Sequence, residues 1–256
     1  MIGVITYNLP HRKTLDVLML LKARGYREVF IYAVDHHYVK RFKPLVKHRP
    51  ELINNNYTLS DLCDNLGFKY MYGNNNYNSL SNYIEANSKI LVCGAGIIPS
   101  DITKKYIFIN SHPGYIPDVR GLDAFKWAIL NKNFIGVTAH IIGDEVDAGY
   151  IIERKLVPIY KMDSFHSVAQ RQYEMEIDML VNAINLVDKN QLEYIQGGQN
   201  LVNKRMPHEL ELNILSLFEE YKNEYLDKKN VKDTGGGGGK IWKTSQPHQQ
   251  QKYLCA

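Results

Sequence analysis

The chain has 256 residues, 45% of them hydrophobic and 23% charged, a composition that excludes collagen-like, mucin-like and wholly disordered proteins. Its 31 Lys and Arg against 27 Asp and Glu leave a formal net charge of +4, which is too small to predict a nucleic-acid partner. No apolar run reaches the roughly 18 residues that span a bilayer, and the start MIGVITYNLPHRK lacks the order of a secretory signal. We therefore expect a cytoplasmic protein without a membrane partner. The three cysteines are odd in number and lack CxxC spacing, so we interpret them as reduced thiols.

Short β-rich runs alternate with longer helical patterns along the chain, which predicts an α/β fold. We expect a Rossmann-like, mostly parallel twisted sheet flanked by helices, with a short C-terminal helical extension. The predicted strands are residues 2–6, 29–34, 68–72, 89–93, 106–110, 136–143 and 150–159. The predicted helices are residues 12–24, 121–131, 164–187 and 207–229, the third with Asp163 or Ser164 as its N-cap. Residues 54–87 contain two Asn triplets, which favour loops.

The pattern divides the chain into three parts: a main domain over residues 1–200 that contains both candidate sites, a helical extension over 201–232 and a disordered tail over 233–256. The tail contains five consecutive glycines followed by Lys240, which invites comparison with a phosphate-binding loop. That motif needs its Lys-Ser/Thr pair to open a helix after a strand, and here Ile241 and Trp242 follow. A flexible linker is the better interpretation.

The first candidate site lies where the strand YIFIN ends, in the run N-S-H-P-G-Y-I-P-D-V-R-G from Asn110 to Gly121. Residues two apart in a strand share a face, so Asn110 and His112 project together, and Pro113 and Gly114 then force a turn. Ligands of open α/β sheets collect at such strand ends. An amide can donate to a developing oxyanion and an imidazole can move protons near neutral pH, which suits acyl-group chemistry. A polar strand end without catalytic function is the alternative.

The second candidate is the run G-V-T-A-H-I-I-G-D-E-V-D-A-G-Y-I-I, in which a strand enters an acidic turn and Gly149 lets the backbone double back. The three carboxylates of Asp144, Glu145 and Asp147 could hold a hard cation. The turn lacks the Asp/Asn alternation of a calcium site, however, and no other cluster is placed to complete a metal site. We therefore predict no metal. The alternative is that one carboxylate, best Asp147, orients a histidine.

Together the two runs resemble the folate-dependent formyltransferase family, which includes glycinamide ribonucleotide, methionyl-tRNA and sugar N-formyltransferases. The resemblance is dense over residues 91–152, with both motifs in the family's order and at its separation. It implies a catalytic trio of Asn110, His112 and Asp147. Asn110 would donate to the formyl oxygen, His112 would assist proton transfer from the attacking amine, and Asp147 would fix the imidazole. The nucleophile belongs to the substrate, so no reactive Ser or Cys is required.

The resemblance also implies the formyl donor, 10-formyltetrahydrofolate, and a place for its flat pterin ring against glycines and apolar walls. Carried over to this chain, the cofactor-binding residues are Ile97, Ile98, Gly143, Asp144 and Glu145. Plain core packing of Ile97 and Ile98 is the alternative.

Departures from the family pattern bear on the amine that is formylated. The loop after the first strand lacks the glycines that cradle the phosphate of glycinamide ribonucleotide, and residues after 164 offer two helices and a tail, not a tRNA-binding barrel. A formyltetrahydrofolate hydrolase would be expected to carry an N-terminal regulatory domain, whereas the sequence here begins directly with its first predicted strand, so we do not expect a hydrolase. The chain is thus most similar to sugar N-formyltransferases.

We therefore expect a nucleotide-linked amino sugar as acceptor, a dTDP- or GDP-type 3-amino or 4-amino deoxysugar, as in polysaccharide biosynthesis. Alternatives are glycinamide ribonucleotide and a non-catalytic folate- or nucleotide-binding relative. A homodimer is possible. The candidate substrate-binding residues are Tyr7, Asn8, His11, Arg12, Tyr115, Arg120 and Gly121. A second, basic set that could meet a pyrophosphate is His36, His37, Lys40, Arg41, His48 and Arg49.

Overall fold

An eight-stranded mixed sheet forms the centre of the protein in the computed structural model, which describes residues 1–36, 43–52, 56–143, 147, 149–195 and 202–233. The strands are β1 (Ile2–Tyr7), β2 (Val29–Val34), β3 (Lys69–Tyr72), β4 (Lys89–Val92), β5 (Ile107–His112), β6 (Arg120–Gly121), β7 (Gly136–Ile142), β8 (Gly149–Leu156), β9 (Glu193–Ile195) and β10 (Val202–Asn203). The strand order of the large sheet is β3-β2-β1-β4-β5-β7-β8-β9, and β6 pairs with β10 in a second, small sheet.

The five strands from β3 to β5 in that order run parallel to one another, whereas β7, β8 and β9 are added antiparallel. Neighbouring residues of β1 show that both faces of the parallel part are covered, since Val4 and Ile5 belong to two different buried clusters. Such double burial explains why β2 reads as a continuous apolar run. The predicted mostly parallel, helix-flanked sheet is confirmed.

Seven α-helices and a 3-10 helix (Tyr77–Asn82) accompany the sheet within the described ranges. The α-helices are α1 (Arg12–Ala23), α2 (Leu59–Leu66), α3 (Ser100–Thr103), α4 (Ala124–Leu130), α5 (Phe165–Leu186), α6 (His208–Glu211) and α7 (Ile214–Asp233). The longest, α5, packs on β5, β7 and β8 and against α1. Its N-cap is Ser164, whose side chain accepts from Ser167 N at 3.2 Å in a reciprocal capping box. Asp163 instead receives two guanidinium hydrogen bonds from Arg171, at 2.8 and 2.9 Å.

Three features differ from the pattern expected of the sequence. The Asn-rich stretch contains α2, because Thr58 and Asp61 form a capping box and Gly67 ends the helix at a φ of 69°. The short strands β6, β9 and β10 and the short helix α3 were not predicted. The last predicted helix is divided into α6 and α7.

The C-terminal extension packs on the rest of the described chain. Ile214, Phe218 and Tyr221 of α7 are buried, and the Tyr221 hydroxyl donates to Asn133 O at 2.9 Å. Beneath α4, the side chains of Lys126 and Glu211 form an ion pair in which neither is exposed. These contacts attach the extension to α4, beside the end of the small sheet.

Within the described residues, no helix is long and apolar enough to cross a membrane. Cys63 and Cys93 are buried free thiols, and burial raises the pKa of each to about 12. Cys255 and the glycine-rich tail lie outside the described residues, so the prediction for that region is unchanged.

Candidate active site

Asn110 and His112 lie at the carboxyl end of β5, where this strand meets the antiparallel β7. The register pairs Asn110 with His140 and His112 with Thr138, so all four side chains belong to one face of the sheet. Asn110 Nδ2 lies 3.3 Å from His140 Nε2. Because an amide nitrogen can only donate, the ring nitrogen of His140 is the acceptor in this pair. The contact uses one of the two amide hydrogens of Asn110 and fixes the plane of its side chain.

The imidazole of His112 is held from both sides. Its Nε2 lies 3.1 Å from the carbonyl oxygen of Val119, and its Nδ1 lies 3.4 Å from Asp147 Oδ1. Only 4% of His112 is exposed. Two acceptors at opposite ring nitrogens leave the ring one orientation, as a group that handles a proton in a fixed direction requires.

Asp147 reaches His112 from the turn between β7 and β8. Its backbone is in the left-handed region, with a φ of 46°, which is uncommon for a residue other than glycine. The second carboxylate oxygen, Oδ2, accepts a hydrogen bond of 2.8 Å from the backbone N–H of Gly121. The two oxygens thus have separate partners, one in the imidazole and one in the loop that follows β5.

The turn after His112 is packed too tightly for a side chain at Gly114. A Cβ atom there would lie 2.5 Å from Val119 O and 2.6 Å from His112 Nε2. Thr138 fastens the same turn, because its hydroxyl donates to Gly114 O at 2.8 Å and accepts from Ile116 N at 3.1 Å. The glycine therefore lets the loop fold over the imidazole.

A cleft of about 730 Å³ opens beside His112 and Asp147. Its size is that of a small-molecule site. It is lined by His48, Arg49, His112, Pro113, Gly121, Leu122, Asp123, Ala124, Asp147, Val202, Asn203, Lys204 and Arg205.

Four basic residues line this cleft besides His112. Arg205 pairs with Asp123 at 2.9 Å, and Arg49 pairs with the buried Glu176. Lys204 is exposed and makes no ion pair within the part of the chain that the structure describes. Burial, reinforced by the nearby charge of Lys126, lowers the pKa of His48 to about 3, so this imidazole is neutral near pH 7.

A buried charge network supports the cleft from behind. Glu176 on α5 pairs with Lys13 at 2.9 Å and with Arg49. Burial alone would raise the pKa of Glu176, but the two cations outweigh it and hold the pKa at about 2. The carboxylate of Glu176 thus faces the two cations Lys13 and Arg49, which leaves a net positive charge. This charge lies next to β5, where Lys13 Nζ also donates to Ser111 O at 3.3 Å.

The predicted substrate-binding residues fall in different places. Gly121 lines the cleft, whereas the other six are not among its lining residues. Arg120 is only 2% exposed, and Tyr115 packs edge-on against Phe134.

The loop after β1 engages its own neighbours. Tyr7 donates to Ala95 O at 2.8 Å, Asn8 accepts from Tyr70 at 2.7 Å, and Arg12 pairs with Asp16 at 2.7 Å. His11 contacts the Thr14 hydroxyl at 3.0 Å.

In the basic set, His48 and Arg49 line the cleft, and His36 packs against the ring of Tyr7, with ring centres 4.6 Å apart. The other members, His37, Lys40 and Arg41, lie outside the described residues.

The candidate cofactor residues lie at the carboxyl ends of β4 and β7. Ile97 is 92% exposed, which argues against plain core packing for this side chain. Ile98 is half-buried against the cluster that contains Ile5 and Phe108. Gly143 follows directly after β7, and Asp144 and Glu145 lie outside the described residues.

Among the described residues, no group of three or more His, Cys, Asp and Glu side chains is placed to hold a metal ion. Asp144 and Glu145 of the acidic turn lie outside the described residues, so the prediction for that turn is unchanged.

Sequence reasoning missed the groups that hold the trio in place. They are His140, the Val119 carbonyl, the Gly121 amide and the β10 strand that pairs with Gly121. His140 stands in the second motif, but its contact with Asn110 depends on the β5–β7 register. Backbone groups leave no side-chain signal in a sequence.

Comparison with known proteins connects this geometry to a family. Residues 69–184 match the family model described as formyl transferase. Phosphoribosylglycinamide formyltransferase of Haemophilus influenzae is 27% identical over 135 residues, which make up 50% of this chain and 64% of that protein. Methionyl-tRNA formyltransferase of Fusobacterium nucleatum is 29% identical over 122 residues, 46% of this chain and 39% of that protein.

A solved sugar N-formyltransferase from Shewanella has a similar fold, with a TM-score of 0.56 over 84% of this chain and 87% of that chain. The two are 18% identical, so the likeness concerns the fold alone. This chain spans less than two thirds of either curated relative.

Proposed function

We propose that the chain transfers a formyl group from 10-formyltetrahydrofolate to an amine, because residues 69–184, which include both motifs, match the family model described as formyl transferase. The observation that carries this proposal is the contact between His112 and Asp147 at the cleft, with Asn110 two residues before His112 on the same face of β5. An imidazole–carboxylate pair with an amide donor on the same strand face supplies the groups that acyl transfer to an amine requires when the nucleophile comes with the substrate.

Asn110 is the oxyanion donor. One of its amide hydrogens is engaged by His140, and the other remains for the formyl oxygen as negative charge builds on it. One such donor typically contributes roughly 3–4 kcal/mol to the lowering of the barrier. The contact with His140 prevents the amide from rotating away, so the donor is oriented before the reaction begins.

His112 Nε2 keeps its hydrogen on the Val119 carbonyl at 3.1 Å, so Nδ1 is the nitrogen that takes the proton lost by the amine as its bond to the formyl carbon forms. Asp147, 3.4 Å from Nδ1, balances the charge of the imidazolium. The proton then passes to the departing folate nitrogen as its bond to the formyl carbon breaks, which balances the reaction without a covalent enzyme intermediate.

The folate donor supplies the activated formyl group. A flat ring fits against Ile97 and Ile98, beside Gly94 and Gly96. The Ile97 side chain is 92% exposed, so a ring that covers it removes apolar surface from water and stabilises the bound donor. Gly143, Asp144 and Glu145 complete the proposed donor site from the other strand end.

The cleft is the proposed acceptor site. Its exposed Lys204, together with Arg49 and Arg205, suits an amine that carries a phosphate or pyrophosphate group. The loop after β1, which lacks the glycines that cradle the phosphate of glycinamide ribonucleotide, favours a nucleotide-linked amino sugar, and the slight positive charge fits two anionic ligands. A cytoplasmic role in polysaccharide biosynthesis belongs to this proposal, and so does a possible homodimer.

Lys204 offers a direct check on the acceptor site. Lys204→Gln is expected to raise the KM for a phosphate-bearing amine about three- to tenfold at low ionic strength, with kcat little changed, since it removes one charge contact. The matched control is Lys104→Gln, an exposed lysine after α3 at the opposite end of the sheet. Equal KM values in both variants would contradict an anionic acceptor at this cleft.

The sequence relatives favour a second candidate acceptor, because one curated relative acts on phosphoribosylglycinamide. The deciding experiment incubates the protein with 10-formyltetrahydrofolate and separate amines, and follows the release of tetrahydrofolate. The panel contains dTDP- and GDP-linked 3-amino and 4-amino sugars, glycinamide ribonucleotide and methionyl-tRNA. Turnover of a nucleotide-linked sugar alone supports the proposal, and turnover of glycinamide ribonucleotide alone overturns the choice of acceptor.

A further inference from the structure

The small β6–β10 sheet joins the C-terminal extension to the loop that carries Gly121. Residues Val202 and Asn203 pair in parallel with Arg120 and Gly121. Leu122 N donates to Asn203 O at 2.8 Å, and Asn203 Nδ2 donates to Arg120 O at 2.9 Å. The backbone and the side chain of one residue thus hold the peptide groups on both sides of Gly121.

We propose that Asn203 is a positioning residue that acts on the catalytic pair through Gly121: it holds the Gly121 amide against Asp147, and Asp147 in turn holds His112. The contacts form a continuous series, since Gly121 N donates to Asp147 Oδ2 at 2.8 Å and Asp147 Oδ1 lies 3.4 Å from His112 Nδ1. The catalytic part of this inference rests on the proposed formyl transfer, whereas the structural part does not.

The conformation of Gly121 shows why another segment of the chain has to hold it in place. Its φ of 88° lies in the region that favours glycine. A Cβ atom there would lie 2.2 Å from Asn203 O and 2.6 Å from Asn203 N, so the two backbones approach as closely as a glycine allows. Asp147 is itself at a φ of 46°, and such backbones persist only when their surroundings over-determine them.

The residues that follow Asn203 are in turn hydrogen-bonded to α4 and to Asp123, which precedes it. Arg205 Nη1 and Met206 N donate to the two carboxylate oxygens of Asp123, at 2.9 and 3.0 Å, and Trp127 Nε1 donates to Lys204 O at 2.8 Å. Three hydrogen bonds directly after β10 therefore prevent Asn203 from drifting when substrate enters the cleft. The C-terminal extension thereby becomes part of the active site.

The test compares Asn203→Ala with Asn190→Ala in the full chain. The control residue lies after α5 and makes an equivalent bond, from Asn190 Nδ2 to Ile152 O at 2.9 Å. Asn203→Ala should speed hydrogen exchange at the Gly121 amide about tenfold and lower kcat about fivefold, with the folate KM within twofold of wild type. Asn190→Ala should leave both quantities unchanged.

A double-mutant cycle separates positioning from general stability. In the Asp147→Asn background, Asn203→Ala should lower kcat by less than twofold, because the carboxylate through which it acts is gone. An equal loss in both backgrounds, or unchanged Gly121 exchange in Asn203→Ala, overturns the proposal. If the wild-type protein transfers no formyl group, the exchange measurement still decides whether Asn203 clamps Gly121.

Discussion

Asp147→Asn isolates the charge that Asp147 presents to His112. The amide has nearly the shape of the carboxylate, its oxygen can still accept from Gly121 N, and asparagine tolerates the φ of 46°. The fold should therefore be kept while the negative charge 3.4 Å from the imidazole is lost.

The size of the effect follows from that distance. A pair of unit charges 3.4 Å apart is worth about 1 kcal/mol in water and about 5 kcal/mol at an effective dielectric constant near 20. The side chains of His112 and Asp147 are only 5% and 13% exposed, so the larger value is the better guide. At about 1.4 kcal/mol per tenfold in rate, the two values correspond to a fall in kcat of about fivefold and of several thousandfold, and the low exposure leads us to expect a fall on the order of 1,000-fold or more.

The assay is steady-state release of tetrahydrofolate, with the thermal midpoint of each variant measured beside it. Asp188→Asn is the matched control, because it removes a surface carboxylate that pairs with Lys89 at the opposite end of the sheet. That variant should retain the wild-type rate. A less than threefold change in kcat for Asp147→Asn, at full folding, would refute the role given to the carboxylate.

Gly114→Ala should lower kcat about 100-fold and also lower the thermal midpoint, because its Cβ would lie 2.5 Å from Val119 O and 2.6 Å from His112 Nε2 and displace the ring; kcat is measured at a temperature where circular dichroism shows the variant folded, and a wild-type rate would contradict this. Burial lowers the pKa of His48 to about 3, whereas in the unfolded chain this imidazole binds a proton near pH 6.5. Protonation therefore favours the unfolded chain, and the thermal midpoint should fall as pH drops from about 6.5 toward 4. His48→Asn should flatten this decline, and an equal slope in that variant would be inconsistent with a buried neutral imidazole. Truncation after Lys232 should leave kcat and the thermal midpoint unchanged, because the described lining of the cleft lies between His48 and Arg205 and the tail is predicted to be a disordered linker; a large loss would assign that tail a role at the site.

The sheet was predictable because its strands carry signals that depend on few neighbours. β1, β2, β4 and β5 read as buried apolar runs, and α5 begins at a capping box. The helix α2 was not predicted, because the Asn triplets on either side of it favour loops. Thr58, Asp61 and Gly67 nevertheless mark its two ends. These capping residues, and not the Asn-rich composition, determine the structure of the segment.

The site was predictable only in part. Asn110 and His112 follow from one strand end, and Asp147 from a turn that the resemblance singled out. The groups that orient them depend on pairings between distant segments: β5 with β7, and two-residue strands that join Gly121 to Asn203. A strand of two residues has no periodicity, and a backbone N–H has no residue type, so neither leaves a mark in the sequence.

The central claim, that Asn110, His112 and Asp147 form a formyl-transfer site, is tested most directly by following a labelled formyl group. Donor with an isotopically labelled formyl carbon is incubated with the acceptor panel and with wild-type or Asn110→Ala protein, and the amine products are analysed by mass spectrometry. We predict that the wild-type protein places the label on an amine of the panel and that Asn110→Ala, although folded, does so at least about 100-fold more slowly. Label transfer at equal rates by both proteins would contradict the account.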